Sequence, residues 1–199
     1  MYELAPGFIK GWLMGDSVPD RMIASALKLL AAEGFQGASF SSVLADASAP
    51  RGSVYFHFRG GKEELMLAAI ALAGEKANSV LDDLDDRRPD EILSAFVDLW
   101  RSILAASDFQ LGCAIAGATV TTGQPDIIEA AALQFRTWTE RMTEILVGAG
   151  LEQQASIDFS HLVLAACEGA VVLCRAERSL VPLASVERSL QQTLTAMTG

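Results

Sequence analysis

The chain has 199 residues, of which 51% are hydrophobic and 20% are charged. This balance excludes disorder over most of the chain, and no uninterrupted apolar run reaches the roughly 18 residues needed to span a bilayer, so we expect a cytoplasmic protein outside the membrane. The net charge of −10 argues against a nucleic-acid partner, but residues 1–62 carry +1 and the remainder carries −11, which predicts two parts with different roles.

The first part of the chain predicts short helices. Residues 1–16 form an apolar extension ahead of them. Apolar residues at helical spacing predict a helix over 20–33, which Gly34 ends. A second, shorter helix is expected over 41–47, with Ser39 or Ser41 as its N-cap.

A third helix is predicted over 51–57, because Pro50 suits a helix start. Two short helices joined by a tight turn form a helix-turn-helix, which places its second helix in the DNA major groove. Val54 and Phe58 should turn inward to the small core. The residues expected to face DNA are Ser39, Ser41, Pro50, Arg51, Gly52, Ser53, Tyr55, Phe56, His57 and Lys62.

These residues divide by the chemistry that each can offer to a duplex. Tyr55 and His57 can donate hydrogen bonds to phosphate oxygens, whereas Arg51 and Ser53 can reach base edges. Lys62 opens the next helix, where the helix dipole also favours a phosphate. The stretch is therefore expected to face a charged polymer with one side and the core with the other.

The remaining chain predicts further helices with no repeat and no strand. Their expected ranges are 62–81, 90–106, a short helix or turn within 111–125, 126–147, 153–179 and 183–197. The fold class is therefore all-α with about nine helices. We expect a DNA-binding domain over 1–62 and a ligand-binding and dimerisation domain over 63–199, linked by the fourth helix.

Aromatic and methionine side chains recur on one face of each middle helix. This spacing is that of an ordinary helical core, and it is equally that of a cavity for a small, apolar or planar aromatic effector. A few polar residues nearby could orient such a ligand, although His161 is also explained as a satisfied polar residue on an apolar helix. The candidate ligand-binding residues are Phe96, Trp100, Leu104, Cys113, Thr119, Gln134, Phe135, Trp138, Met142 and His161.

The helix over 153–179 is apolar nearly all round in its middle, which predicts burial on more than one face. A second copy of the chain is the simplest partner, and a helix-turn-helix that reads two half-sites also favours a two-fold dimer. The candidate interface residues are Cys167, Gly169, Ala170 and Leu173. Three cysteines without a C-x-x-C pair predict small buried side chains and no metal site.

No catalytic constellation is present. The chain has two histidines and lacks the G-x-S-x-G, H-E-x-x-H and Walker patterns, and no cofactor motif is found. An all-α carrier of small molecules or lipids, or a helical enzyme, remains the alternative to a DNA-binding regulator. Stable retention of a hydrophobic molecule without DNA binding would favour the carrier.

The segment over 34–65 resembles the DNA-binding signature of the TetR family. The residues that carry this resemblance, in order and spacing, are Gly34-Phe35, Ser39, Ser41, Val43, Ala47, Gly52, Tyr55, Phe58, Lys62-Glu63 and Leu65. The "APRGSVYFHF" and "GGKEEL" variant is similar to the LmrA/YxaF-like subgroup. Ser48 stands where the family usually has glycine, and a left-handed conformation would cost it about 1 kcal/mol.

The resemblance implies a ligand-responsive repressor. It implies dimerisation through the last two helices and release from the operator by flavonoid-like or drug-like compounds. The fourth helix would transmit the change, because its start lies beside the DNA-reading residues.

Overall fold

A computed structural model of the chain describes residues 16–198. The predicted N-terminal extension therefore lies, apart from Asp16, outside the described residues. Residues 16–198 form nine α-helices and no strand, which confirms the all-α prediction. The helices are α1 Val18–Gly37, α2 Phe40–Asp46, α3 Ser53–His57, α4 Gly61–Asp82, α5 Pro89–Ala106, α6 Ala114–Thr121, α7 Pro125–Gly148, α8 Gln153–Glu177 and α9 Val181–Thr198.

Helix α1 begins with a capping box and contains a kink. The Ser17 hydroxyl accepts a hydrogen bond from the Asp20 N–H, and the Asp20 carboxylate accepts one from the Ser17 N–H at 3.2 Å. Gly34 has φ 71°, a left-handed conformation that only glycine adopts freely, and it interrupts the helix. The predicted break at Gly34 is confirmed, but one further turn follows it.

The boundaries of the helix-turn-helix differ from the prediction at one end. Helix α3 begins at Ser53 and not at residue 51, because Arg51 and Gly52 form a turn after Pro50.

The turn residue Ser48 has φ 50°, so it adopts the left-handed conformation that was expected to strain a residue other than glycine. The turn therefore holds Ser48 in a conformation that glycine adopts more easily.

The described residues form two compact units. One contains 16–76 and 111–134, and the other contains 77–110 and 135–198. In the first unit α6 packs closely on α1. The backbones are so close at Gly117 that a Cβ atom there would stand 2.6 Å from the Leu30 carbonyl oxygen. The Gly112 N–H also donates to the Ala31 carbonyl at 2.9 Å. Helix α6 is thus a structural part of the unit that holds α1–α3.

In the second unit α5, α8 and α9 pack around a core that includes Phe96 and Leu104. Arg101 of α5 forms ion pairs with Asp98 and, at 2.6 Å, with Glu187 of α9. The ion pair with Glu187 joins α5 to α9.

Helix α8 is long and apolar enough to cross a membrane by length and composition, with a mean hydropathy of 1.7 over 18 residues. The sequence predicted no spanning segment because no uninterrupted apolar run is long enough. Helix α8 meets the length and composition criterion although Glu168 interrupts its apolar run. Core helices of soluble proteins meet the same criterion, and 39% of this window is buried.

Candidate nucleic-acid interface

The short helix α3 has two distinct faces. Val54 and Phe58 are buried, which confirms the inward pair predicted from their spacing. Tyr55 and Phe56 are exposed over 72% and 76% of their surface. Helix α3 and the Phe58 that caps its C-terminus thus bury two side chains and expose two large aromatic rings, so the helix is anchored to the core and its outer face can contact a partner.

Helix α1 supports this arrangement through three contacts with α2 and the residue after it. The Ser25 hydroxyl donates to the Val43 carbonyl at 3.2 Å, and the Arg21 guanidinium donates to the Ala47 carbonyl at 3.3 Å. Lys28 forms an ion pair of 2.5 Å with Asp46. Two basic residues of the N-terminal part therefore hold the scaffold together.

The start of α2 carries a cluster of serine hydroxyls. Ser39 is the N-cap and accepts a hydrogen bond from the Ser42 N–H at 3.1 Å. Its oxygen also lies 2.9 Å from the hydroxyl oxygen of Ser41, which is exposed. Of the two serines proposed as N-cap, Ser39 is the one that caps the helix.

A cleft of about 380 Å³ lies between α2 and the residues before and within α3. Arg51 and Pro50 are exposed at the turn, and a Cβ atom on Gly52 would meet no atom within 4 Å, so a backbone could approach there. His57 is half-buried. The cleft is lined by Phe40, Ser41, Leu44, Ala45, Ala49, Arg51, Val54 and Tyr55.

Lys62 has an intramolecular partner. Its ammonium donates to the Phe35 carbonyl at 2.6 Å and lies 4.4 Å from the centre of the Phe35 ring. Burial lowers the pKa of this ammonium. Lys62 therefore fixes the start of α4 against the end of α1, a role that the prediction of a simple phosphate ligand did not include.

The peptide groups of Phe35 are held from both sides. The Phe35 N–H donates to the Thr121 hydroxyl at 2.7 Å, and that hydroxyl donates to the Gly117 carbonyl at 2.6 Å. The Phe35 carbonyl accepts from Lys62. Three helices, α1, α4 and α6, thus meet at one residue, which we call the Phe35 junction (Phe35, Lys62, Thr121).

Two family models match the chain. One, described as bacterial regulatory proteins of the tetR family, matches residues 22–69, which contain the helix-turn-helix. The other, described as transcriptional regulator LmrA/YxaF-like, C-terminal domain, matches residues 89–189. The chain belongs to the TetR family. TetR-family regulators bind DNA operators and act as dimers.

Relatives of known sequence and structure agree with this assignment. An uncharacterized HTH-type transcriptional regulator of Mycobacterium tuberculosis is 32% identical over 89% of this chain and 94% of its own length. The HTH-type transcriptional regulator LmrA of Bacillus subtilis is 24% identical over 90% and 97% of the two chains. The crystal structure of a TetR regulatory protein from Rhodobacter sphaeroides shares the fold, with a TM-score of 0.79 at 24% identity over 86% and 96% of the chains.

The residues suggested for effector binding in this TetR-family chain are divided between the two compact units. Two edge-to-face aromatic pairs lie in the unit of 77–110 and 135–198. The ring centres are 6.5 Å apart for Phe96 and Trp100, and 5.8 Å apart for Phe135 and Trp138. Both tryptophans are 4% exposed. The structure thus places them in two aromatic pairs. Leu104 and Met142, from the same list, are buried in this unit.

Both indole N–H groups are buried without an acceptor among residues 16–198. A buried Trp N–H normally finds a hydrogen-bond partner, and leaving one unsatisfied costs about 1–3 kcal/mol. Two such groups, one in each aromatic pair, are unusual for a plain core.

The polar residues suggested for the effector site are engaged locally. The hydroxyl of exposed Thr119 donates to the Ile115 carbonyl at 2.8 Å, and exposed His161 has its Nδ1 2.9 Å from the Ile157 carbonyl. Cys113 caps α6 through its sulfur. Gln134 is half-buried beside Gly74. Cys113, Thr119 and Gln134 belong to the unit of 16–76 and 111–134, whereas His161 belongs to the other.

The residues suggested for the dimer interface fall on two faces of α8. Cys167 and Ala170 are buried within the protomer, so the structure moves them from the interface to the core. Gly169 and Leu173 are exposed, the latter over 52% of its surface. They belong to an exposed stripe of apolar and small residues at helical spacing, Leu162, Ala165, Gly169, Val172, Leu173 and Ala176.

All three cysteines are buried, as the sequence suggested, and they are free thiols. Burial raises the pKa of the Cys167 thiol to about 12, and Glu168 and Glu187 add to the effect. Across residues 16–198 there is no group of three or more residues that could hold a metal ion.

The Phe35 junction is a structural feature beside the helix-turn-helix that the sequence did not predict. Its hydrogen bond joins residues 35 and 121, and no local pattern links positions so far apart. One signal was available, because Gly34-Phe35 and Lys62 all belong to the motif that resembles the family.

Proposed function

We propose that this TetR-family regulator is a cytoplasmic repressor that leaves its operator when a small aromatic molecule binds. The observation that carries the DNA-binding part is the surface of α3, which exposes Tyr55 and Phe56 beside the exposed Arg51. Transcriptional regulators of this family are not enzymes, and nothing favours the carrier alternative.

Electrostatics support the same surface. The two basic residues of α1, Arg21 and Lys28, are engaged with α2 and the residue after it. Arg51, by contrast, is exposed at the turn before α3. Neutralising phosphates releases counterions, so binding should weaken steeply as salt rises.

The test uses DNA fragments that the purified protein recovers from its genome. We expect specific binding by fluorescence anisotropy, with Arg51→Ala lowering affinity and relaxing base preference at one position. Arg87→Ala is the matched control, since Arg87 is an exposed arginine of the other compact unit. Equal binding by the two variants would contradict the assignment.

For the effector we propose an oxygenated planar aromatic that opens the region around Trp100 and Trp138. The two unsatisfied indole N–H groups support this class, because each needs an acceptor that the described residues do not supply. The ligand must bind one arrangement of the regulator better than the other, since equal affinity would shift nothing.

The test is quenching of tryptophan fluorescence by a hydroxylated flavone and by a hydrocarbon of similar size without oxygen. Trp100→Phe and Trp138→Phe keep an aromatic ring and remove the donor. We expect each to weaken flavone binding about fivefold, the value of one neutral hydrogen bond, and to leave hydrocarbon binding unchanged. Flavone affinity that is unchanged in both variants would place the effector elsewhere.

We further propose that the exposed stripe of α8 forms the dimer contact. Exposed apolar residues at helical spacing need a cover, and small residues such as Gly169 permit close helix approach. A two-fold dimer also presents two reading helices to two half-sites.

A further inference from the structure

We infer that Phe56 recognises the methyl group of a thymine in the operator, so that one apolar ring on α3 contributes to base specificity. This inference rests on the proposed DNA-binding function and names a chemical feature of the operator that the function itself leaves open.

Phe56 is 76% exposed, whereas Val54 and Phe58, two positions to either side of it, are buried. Its neighbours Val54 and Phe58 form the inward face of α3 and hold the helix to its core. Phe56 therefore adds nothing to that core. Together with Tyr55, which is 72% exposed, it forms an exposed aromatic surface of the kind that marks contact with a partner.

The chemistry of the ring restricts what that partner is. Phenylalanine has no hydrogen-bonding group, so it cannot pair with a phosphate oxygen or with the polar edge of a base. In the major groove the apolar group on the base edges is the C5-methyl of thymine, and phenylalanine is among the side chains that contact it. A recognition helix with a bare ring at this position therefore favours a thymine.

Tyr55 next to it plays a different role. Its ring lies 6.3 Å from that of Phe40, at the start of α2, and it lines the cleft between the two helices. Its hydroxyl can donate to a phosphate oxygen. The two adjacent aromatics thus offer different groups, one polar and one wholly apolar.

The orientation of Phe56 is supported by its other neighbour. The Phe56 and His57 rings meet edge-to-face at 4.9 Å, and His57 is half-buried. This contact restricts the rotamers of Phe56 before DNA arrives, so less side-chain freedom is lost on binding.

The experiment replaces each thymine of the bound half-site in turn with deoxyuridine, which lacks only the methyl group. For the wild-type protein we expect affinity to fall about fourfold at one or two positions, the factor for one buried carbon. Phe56→Ala should bind more weakly and lose this sensitivity at the same positions. A further pair of sites has cytosine or 5-methylcytosine in place of the sensitive thymine. The wild-type protein should bind the 5-methylcytosine site more tightly than the cytosine site, because only the former carries the methyl group, but less tightly than the original site.

Two controls make the result specific. Tyr55→Phe removes a hydroxyl from the same face and should keep the deoxyuridine effect, and Phe56→Leu should keep part of it because the side chain remains apolar. Circular dichroism confirms that each variant is folded.

Several outcomes would overturn the inference. If no thymine position is sensitive, or if Phe56→Ala shows the same sensitivity as wild type, Phe56 contacts sugar, backbone or another protein instead. Both results leave the DNA-binding function standing. Only the absence of specific DNA binding by the wild-type protein would overturn the proposed function together with the inference.

Discussion

Replacing Gly117 with alanine should push helices α1 and α6 apart. The new Cβ atom would stand 2.6 Å from the Leu30 carbonyl oxygen, and contacts below 3.0 Å essentially do not occur, so a shift of about 0.4 Å is the least that relieves it. The obstructing atom belongs to the backbone of α1, so no side-chain rotation can make room. The Phe35–Thr121 hydrogen bond of 2.7 Å lies at this same contact.

The size of the effect follows from two opposing contributions. Overpacking against an immobile group costs typically 1–3 kcal/mol, and the contact here is with backbone, which favours the upper half of that range. Alanine inside a helix returns about 1 kcal/mol relative to glycine. We therefore expect the free energy of unfolding to fall by about 1–2 kcal/mol, which lowers Tm by about 2–8 °C for a chain of this size.

Urea denaturation and thermal melts measure this change, and hydrogen exchange at the Phe35 amide locates it. The matched control is Gly148→Ala at the end of α7, where a Cβ atom would meet nothing within 4 Å. The control should be as stable as wild type or slightly more so. Should both variants unfold at the same midpoint, or should the Phe35 amide exchange no faster in Gly117→Ala, the close contact does not exist in solution.

Other contacts give further expected outcomes. Lys62→Met keeps the apolar stem but removes the donor to the Phe35 carbonyl, so unfolding free energy should fall by about 1–2 kcal/mol in urea titrations, and an unchanged midpoint would argue against the junction. Leu173→Asp places a charge on the exposed stripe of α8 and should give monomers by light scattering, whereas Glu177→Gln serves as control; a dimeric Leu173→Asp would move the interface elsewhere. Because the pKa of the Cys167 thiol is raised to about 12, it should stay protonated and resist iodoacetamide at pH 8 until the chain is denatured, and labelling of the native protein would show that the site opens.

Local patterns in the sequence were sufficient to predict the faces of α3. Val54 and Phe58 are four residues apart and flank a basic, aromatic surface, so the inward pair followed from helical spacing alone. The start of the helix could not be predicted in the same way. Pro50 permits a helix start or a turn, and Arg51 and Gly52 form a turn, so α3 begins at Ser53.

When a helix is apolar on all sides, its sequence does not show which face is buried. In α8 the sequence offered Cys167, Gly169, Ala170 and Leu173 as equivalent candidates, yet two are buried and two are exposed. Composition cannot distinguish these faces because the residues differ little in polarity. Only packing within the chain decides which side remains open.

The ion pair of Lys28 and the hydrogen bond of Arg21 also escaped prediction. Basic residues near a DNA-binding motif look like phosphate ligands, but their partners in α2 and just after it come from 18 and 26 residues away. Such contacts depend on how helices cross, which a single sequence does not reveal.

The close fit of Gly117 on α1 affects attempts to exchange DNA-binding domains between related regulators. The compact unit that holds the helix-turn-helix is built from two separate stretches, 16–76 and 111–134. A graft that transplants only the family's N-terminal segment, residues 22–69 here, would replace Leu30 and Gly34 while keeping the Gly117 and Thr121 that fit them. Successful chimeras should therefore transfer α6 together with α1–α3. Otherwise they should keep a glycine at the position of Gly117 and a hydroxyl residue at that of Thr121, where α6 meets α1.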